Sequence, residues 1–161
     1  MMLAYRLVRL IEAHSERLAE GLLVKLYRCD KCSDFKRVPS EEFRQRAYEI
    51  YHHLGEWLLG KKEEDIARRY LEIGERREAQ GVPLSQLIYA IVLVRDHLWE
   101  YLKHEANLER PVEIFGELEM LQLLEQFFDR AMYYAALGYE EAQAARRQEK
   151  HEKAVEHGVG R

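Results

Sequence analysis

The chain has 161 residues, a formal charge of −4 and an isoelectric point near 6.0, with 47% hydrophobic and 34% charged residues. That balance excludes bulk disorder and the basic footprint of a nucleic-acid binder, because Arg68-Arg69 and Arg76-Arg77 are offset by Glu63, Glu64, Glu72 and Glu75. Threonine is absent, asparagine occurs only at Asn107, and 22 leucines and 24 glutamates stand against 16 valines and isoleucines, which is material for helices and not for a sheet.

Five helices are predicted. The first covers about residues 2–27, with Leu3, Leu7, Leu10, His14, Leu18 and Leu22 along one side. A polar connection carrying Cys29-Asp30-Lys31-Cys32 runs to Pro39, and Ser40 stands where an N-cap belongs, followed by Glu41 and Glu42 to favour the helix dipole. The second helix places Phe43, Ala47, Ile50, Leu54, Trp57 and Leu58 inward and stops near Gly60. The third, about 62–80, shows Ile66, Tyr70, Ile73 and Arg77 on one line. Gly81 then caps it, and Pro83 opens the fourth as a first-turn residue.

The fourth helix reaches about residue 105 and has the widest apolar arc (Leu84, Leu87, Ile91, Val94, Leu98, Leu102), which puts it centrally in a bundle. Asn107 and Pro111 mark a break. A long fifth helix follows, inward at Leu121, Leu124, Phe128, Ala131 and Ala135 from about Ile114 to Tyr139. Beyond Ala145 its apolar stripe vanishes. The expectation is an all-α, single-domain bundle of about five helices over residues 1–145. Residues 146–161 are a polar helix extension or a frayed tail. Without an apolar run of about 18 residues or a signal-like N-terminus, the chain is expected to be cytoplasmic and not membrane-inserted.

Cys29-x-x-Cys32 supplies two thiolates to a metal, and tetrahedral zinc needs four ligands. A second copy, or His151 and His157, would have to complete the set; two reduced loop thiols are the plainer alternative. A di-iron reading of Glu49, His52 and Glu56 fails on helical geometry, since His52 and Glu56 fall opposite the inward face. His97 and His104, near Tyr101, stand two turns apart, about 11 Å, too far to chelate one ion, although a single inward histidine could ligate haem.

Three basic groups fall inside apolar arcs: His14, Arg77 and Arg95. A buried arginine is costly unless paired or bound to an anion. Together with Tyr70 they are the candidate contacts for a small anionic ligand. The competing reading has Arg77 snorkelling at a helix end and Arg95 paired with Glu63, Glu125 or Asp129. With four serines, no Gly-x-Ser-x-Gly and no phosphate loop, nothing in the sequence supports an enzyme, and it names no cofactor.

The segment LGEWL at 54–58, followed by DIARRYLEIGERREAQGVPLSQL at 65–87, resembles the N-terminal domain of RsbT co-antagonist proteins of the RsbRD type, a module also found at the front of bacterial sensor histidine kinases. Gly74, Arg77, Gly81, Val82, Pro83 and Leu84, with Arg95 and Trp99, carry the similarity, which spans about residues 43–142. The resemblance implies a globin-like or four-helix-bundle-like, usually dimeric input domain that senses a signal and passes it down a C-terminal helix to a signalling partner. Such modules normally continue into a STAS or kinase output domain, whereas this sequence ends at Arg161 and has no phosphoacceptor threonine. The resulting expectation is a non-enzymatic, homodimeric regulatory input module. Two alternatives stand beside it: a metal or haem protein using Cys29, Cys32 and histidines, and a structural dimer joined through Tyr89, Leu93 and Phe127.

Overall fold

The computed structural model describes residues 4–105 and 111–159. Met2, Leu3 and Asn107, named above, lie outside them. The described residues form eight helical segments and not about five: α1 (Ala4–Ala13), α2 (Ser15–Arg28), a 3-10 segment (Asp30–Arg37), α3 (Ser40–His52), a π turn (Glu56–Gly60), α4 (Glu63–Ala79), α5 (Leu84–Glu105) and α6 (Pro111–Val159). No strand occurs among them.

The additional breaks have local causes. His14 leaves the helical region (φ −111°, ψ 18°) and splits the expected first helix. Its backbone N–H bonds Ile11 O at 3.1 Å, while its ring Nδ1 takes the Leu10 carbonyl at 2.9 Å, so a side chain replaces the backbone donor. The second expected helix breaks at His53 (φ −108°, ψ 24°), and the Gly55 N–H is donated to the Glu12 carboxylate of α1 at 2.8 Å. The polar connection is itself helical, kinked at Cys32. Pro39, not Ser40, occupies the cap position of α3, and no side chain caps it.

The core is apolar and continuous across all segments, from Leu7 and Ile11 through Leu22, Phe35, Leu54, Leu87 and Leu98 to Leu124, Phe128 and Ala135. Tyr51 is wholly buried within this core, its hydroxyl donating to Val94 O at 3.0 Å. Phe127 is also buried, edge-on to Tyr70 and against Trp57, which removes it from any exposed interface. α5 packs on α2, α4, α6 and the 3-10 segment, but the most extensive contact is between α4 and α6. Contacts advance along both of these together, from Glu63–Tyr134 to Glu78–Arg146, so they run parallel. Among the described residues no helix is long and apolar enough to cross a membrane.

Candidate functional site

Five segments meet at the C-terminal end of α4. The helix closes with a Schellman turn: Val82 N–H reaches Arg77 O (3.1 Å) and Gly81 N–H reaches Glu78 O (3.0 Å). Gly81 takes φ +75°, a conformation that L side chains rarely adopt. Around this turn the neighbours attach one by one. Arg37 of the 3-10 segment donates to Gly81 O at 2.8 Å, and the Tyr139 hydroxyl of α6 donates to Val82 O at 2.7 Å. The turn residues that carry the family resemblance therefore form the corner where the bundle is tied together.

Arg77 is the charge inside that corner, with 3% of its surface exposed. Its Nη1 donates to Glu42 Oε1 of α3 and to Gln80 Oε1, both at 2.8 Å. Glu42 also accepts from Arg76. These hydrogen bonds, Arg76 first and Arg77 after it, hold the Glu42 carboxyl down at about 2, against the desolvation that opposes ionisation. Arg77 itself is pushed below its ordinary value by burial, in part offset by Glu42. The first-turn Glu42 thus acts as the counter-ion that makes an inward arginine tolerable.

Next to the corner, α4 and α6 touch backbone to backbone. A Cβ at Gly74 would overlap the Ala135 carbonyl oxygen and lie 2.7 Å from Tyr139 N. A Cβ at Gly138 would overlap the Leu71 carbonyl and lie 2.8 Å from Leu71 Cα. One turn further, Arg146 grips Glu78 with two hydrogen bonds of 2.7 and 2.9 Å, and the Glu78 side chain is only 8% exposed. Past this clasp α6 continues as helix to Val159, with every residue from 144 to 158 exposed.

The structure sets the remaining candidates apart. Tyr70 is buried among Trp57 and Phe127, one α4 face with Arg77 but two turns from it. Arg95 lies beside Glu125 and Asp96, both at 3.7 Å, and Trp99 donates to the same Glu125 at 2.8 Å. His14 sits at the α1–α2 break, its ring 6.0 Å from that of Tyr101. Each basic residue has its own partners, and the three line no common cavity among those described. Both cysteines are free thiols. Cys32 is buried against Gln86 O, and burial, with Cys29 next, pushes its thiol up to about 12. Among the described residues no third histidine, cysteine or carboxylate joins the pair to hold a metal ion.

Glu42, Gly138, Glu78 and Arg146 were not singled out from sequence as site residues. The one available signal was the unusual count of small residues on α6, Ala131, Ala135 and Gly138, at helical spacing. The family model described as the RsbT co-antagonist protein rsbRD N-terminal domain matches residues 16–154. The chain belongs to this family of stress-signalling regulatory input domains. No curated protein and no solved structure matches it.

Proposed function

We propose that this RsbRD-type N-terminal domain is a regulatory input module that hands its state on through α6. The observation that carries the reading is the geometry of that helix. It is locked to α4 by the backbone approaches of Gly74 to Ala135 and of Gly138 to Leu71 and by the Glu78–Arg146 clasp, then runs on through residues 144–158 without burying any of them. An isolated helix of roughly 15 residues is marginal in water, so its order depends on the bundle behind it. A rotation or slip of α6 at the crossing would carry to the exposed stretch as a rigid displacement, along a lever that lengthens by about 1.5 Å per residue.

In this reading the exposed stretch is a protein-contact surface, and a second copy of the chain docks on it through Ala144, Gln148, His151 and Val155, which recur at three- and four-residue spacing. Binding or docking must favour one packing of α6 over another for anything to be transmitted. The test is a chimera in which the domain precedes a dimeric kinase reporter, with one to seven alanines inserted after Gln148. Reporter activity that rises and falls with the helical phase of the insertion supports transmission through α6. Activity indifferent to the number inserted overturns it.

A further inference from the structure

The groove between α2 and α5 lies on a different pair of helices from the α4–α6 joint. It encloses about 510 Å³ and is lined by Leu18, Gly21 and Val24 on one side and His97, Tyr101 and His104 on the other. That is within the usual range of small-molecule sites, roughly 300–1,000 Å³. Among the described residues only two buried side-chain polar atoms find no hydrogen-bond partner, His97 Nδ1 and the Tyr101 hydroxyl; both are closed to solvent, and both residues line this groove. They sit one helical turn apart on α5, on the same face. Native interiors leave few such atoms, and each calls for a reason.

The chemistry of the two atoms is defined by their surroundings. His97 Nε2 lies 3.0 Å from Leu18 O, and a carbonyl can only accept, so Nε2 carries the proton and Nδ1 is a bare acceptor. Burial, and Lys25 after it, favours this neutral imidazole. Gly21 lets the ring lie flush against α2, since a Cβ there would stand 3.1 Å from Cε1 and 3.2 Å from Nε2. Tyr101, whose phenol is held protonated by burial and by Glu105, is a donor in search of an acceptor. At the rim Lys25 is already paired with Glu100, and Arg17 and Arg28 against Glu105 leave a single net positive charge.

We propose that this groove binds a small, neutral aromatic alcohol, a phenol in the simplest case. One hydroxyl both donates and accepts: its proton goes to His97 Nδ1 and its oxygen takes the Tyr101 proton, while the ring covers Leu18, Gly21 and Val24. A carboxylate would satisfy Tyr101 and leave Nδ1 facing a second acceptor; an ether or hydrocarbon would leave Nδ1 without a donor. Access needs a rotation of the Tyr101 ring, which lines the groove. The site stands whether or not α6 transmits, because none of its residues belongs to the joint.

The test titrates the full chain, labelled with ¹⁵N, with 4-methylphenol and separately with 4-methylanisole, its methyl ether. The expected result is saturable shifts at Gly21, Leu18 and the His97 ring nitrogens, a Kd below roughly 10 mM, and the ether weaker by about tenfold. Tyr101→Phe should weaken the phenol by about tenfold while leaving the melting temperature unchanged or higher, because it deletes an unpartnered hydroxyl. His97→Phe also removes the Leu18 bond, so Tyr101→Phe is the deciding variant. Equal affinity for phenol and ether, undiminished binding to the Tyr101 variant, or the absence of saturable shifts would each overturn the site. Shifts at the groove that depend on protein concentration alone would show a second copy covering it, and would overturn it too.

Discussion

Two helix pairs in this molecule meet at glycine, and they behave differently. Where α4 crosses α6, Gly74 and Gly138 each face the other helix's backbone, and the polar groups beside the crossing are closed into the Tyr139–Val82 and Arg146–Glu78 contacts. Where α2 meets α5, Gly21 faces only the edge of an imidazole, the helices stand apart around a groove, and two polar atoms are left over. A missing Cβ therefore means two things. Against backbone it sets the distance of closest approach and locks a helix; against a side chain it seats one group and leaves room for another. The first kind of contact suits a joint and the second a site.

The strongest way to break this comparison is to add the methyl groups. Gly74→Ala or Gly138→Ala places a Cβ inside a neighbouring backbone that cannot give way, and should cost about 3 kcal/mol or more in urea denaturation, at the upper end of overpacking penalties. Gly21→Ala meets a ring that needs to move by only a few tenths of an ångström, and should cost less than about 1 kcal/mol. If the Gly21 variant lost as much as the Gly74 variant, the distinction between the two contacts would fail.

A second contrast separates the carboxylates at the two places. Glu42, 14% exposed and held at about 2 by Arg76 and Arg77, has a folded-state value below its ordinary 4.5. The stability it confers is therefore fully present above about pH 4.5 and is lost as pH falls towards 2, about 3 kcal/mol in all at the order-of-magnitude level. Glu42→Gln should remove that share at neutral pH, strand the buried Arg77, and flatten the acid limb of a stability–pH curve. Glu100 is likewise lowered by Lys25, but it lies in open solvent, and Glu100→Gln should leave the acid limb where it is. An acid limb unmoved by Glu42→Gln would remove Glu42 from its role at the corner.

Much of this corner was legible in the sequence. Apolar periodicity gave the faces of α4, α5 and α6, Gly81 and Pro83 marked the turn, and Arg77 stood out because a charge interrupted the Ile66–Tyr70–Ile73 line. What periodicity could not supply was the partner. Glu42 lies 35 residues away and reads locally as a first-turn acid that suits the helix dipole; only the antiparallel packing of α3 on α4 turns it towards Arg77. The split at His14 was hidden for the opposite reason. Its apolar phase continues unbroken across a place where a ring nitrogen displaces a backbone hydrogen bond. Tyr51 could not be singled out either, because ten tyrosines in a helical chain give no signal to separate one whose hydroxyl has found a carbonyl. For the same reason the His97–Tyr101 pair was not distinguishable from boundary residues, since what sets it apart is the lack of a partner.

The smallest effect on overall stability is expected at the Arg146 clasp, and it sharpens the comparison most. Arg146 is half exposed, so Arg146→Ala forfeits an ion pair of modest worth and leaves Glu78, 8% exposed, poorly solvated. The global cost should be small, a shift of the urea midpoint well below that of either glycine variant. The local consequence should be larger, because residues 147–158 have no other hold on the bundle than the helix running into them. Hydrogen exchange of amides in that stretch should speed up by about tenfold, while those flanking Gly138 stay protected by the backbone contact beneath them. If exchange accelerated equally on both sides of Arg146, the clasp and the glycine crossing would be one cooperative unit, and α6 would pivot at Gly138 and not at its point of exit.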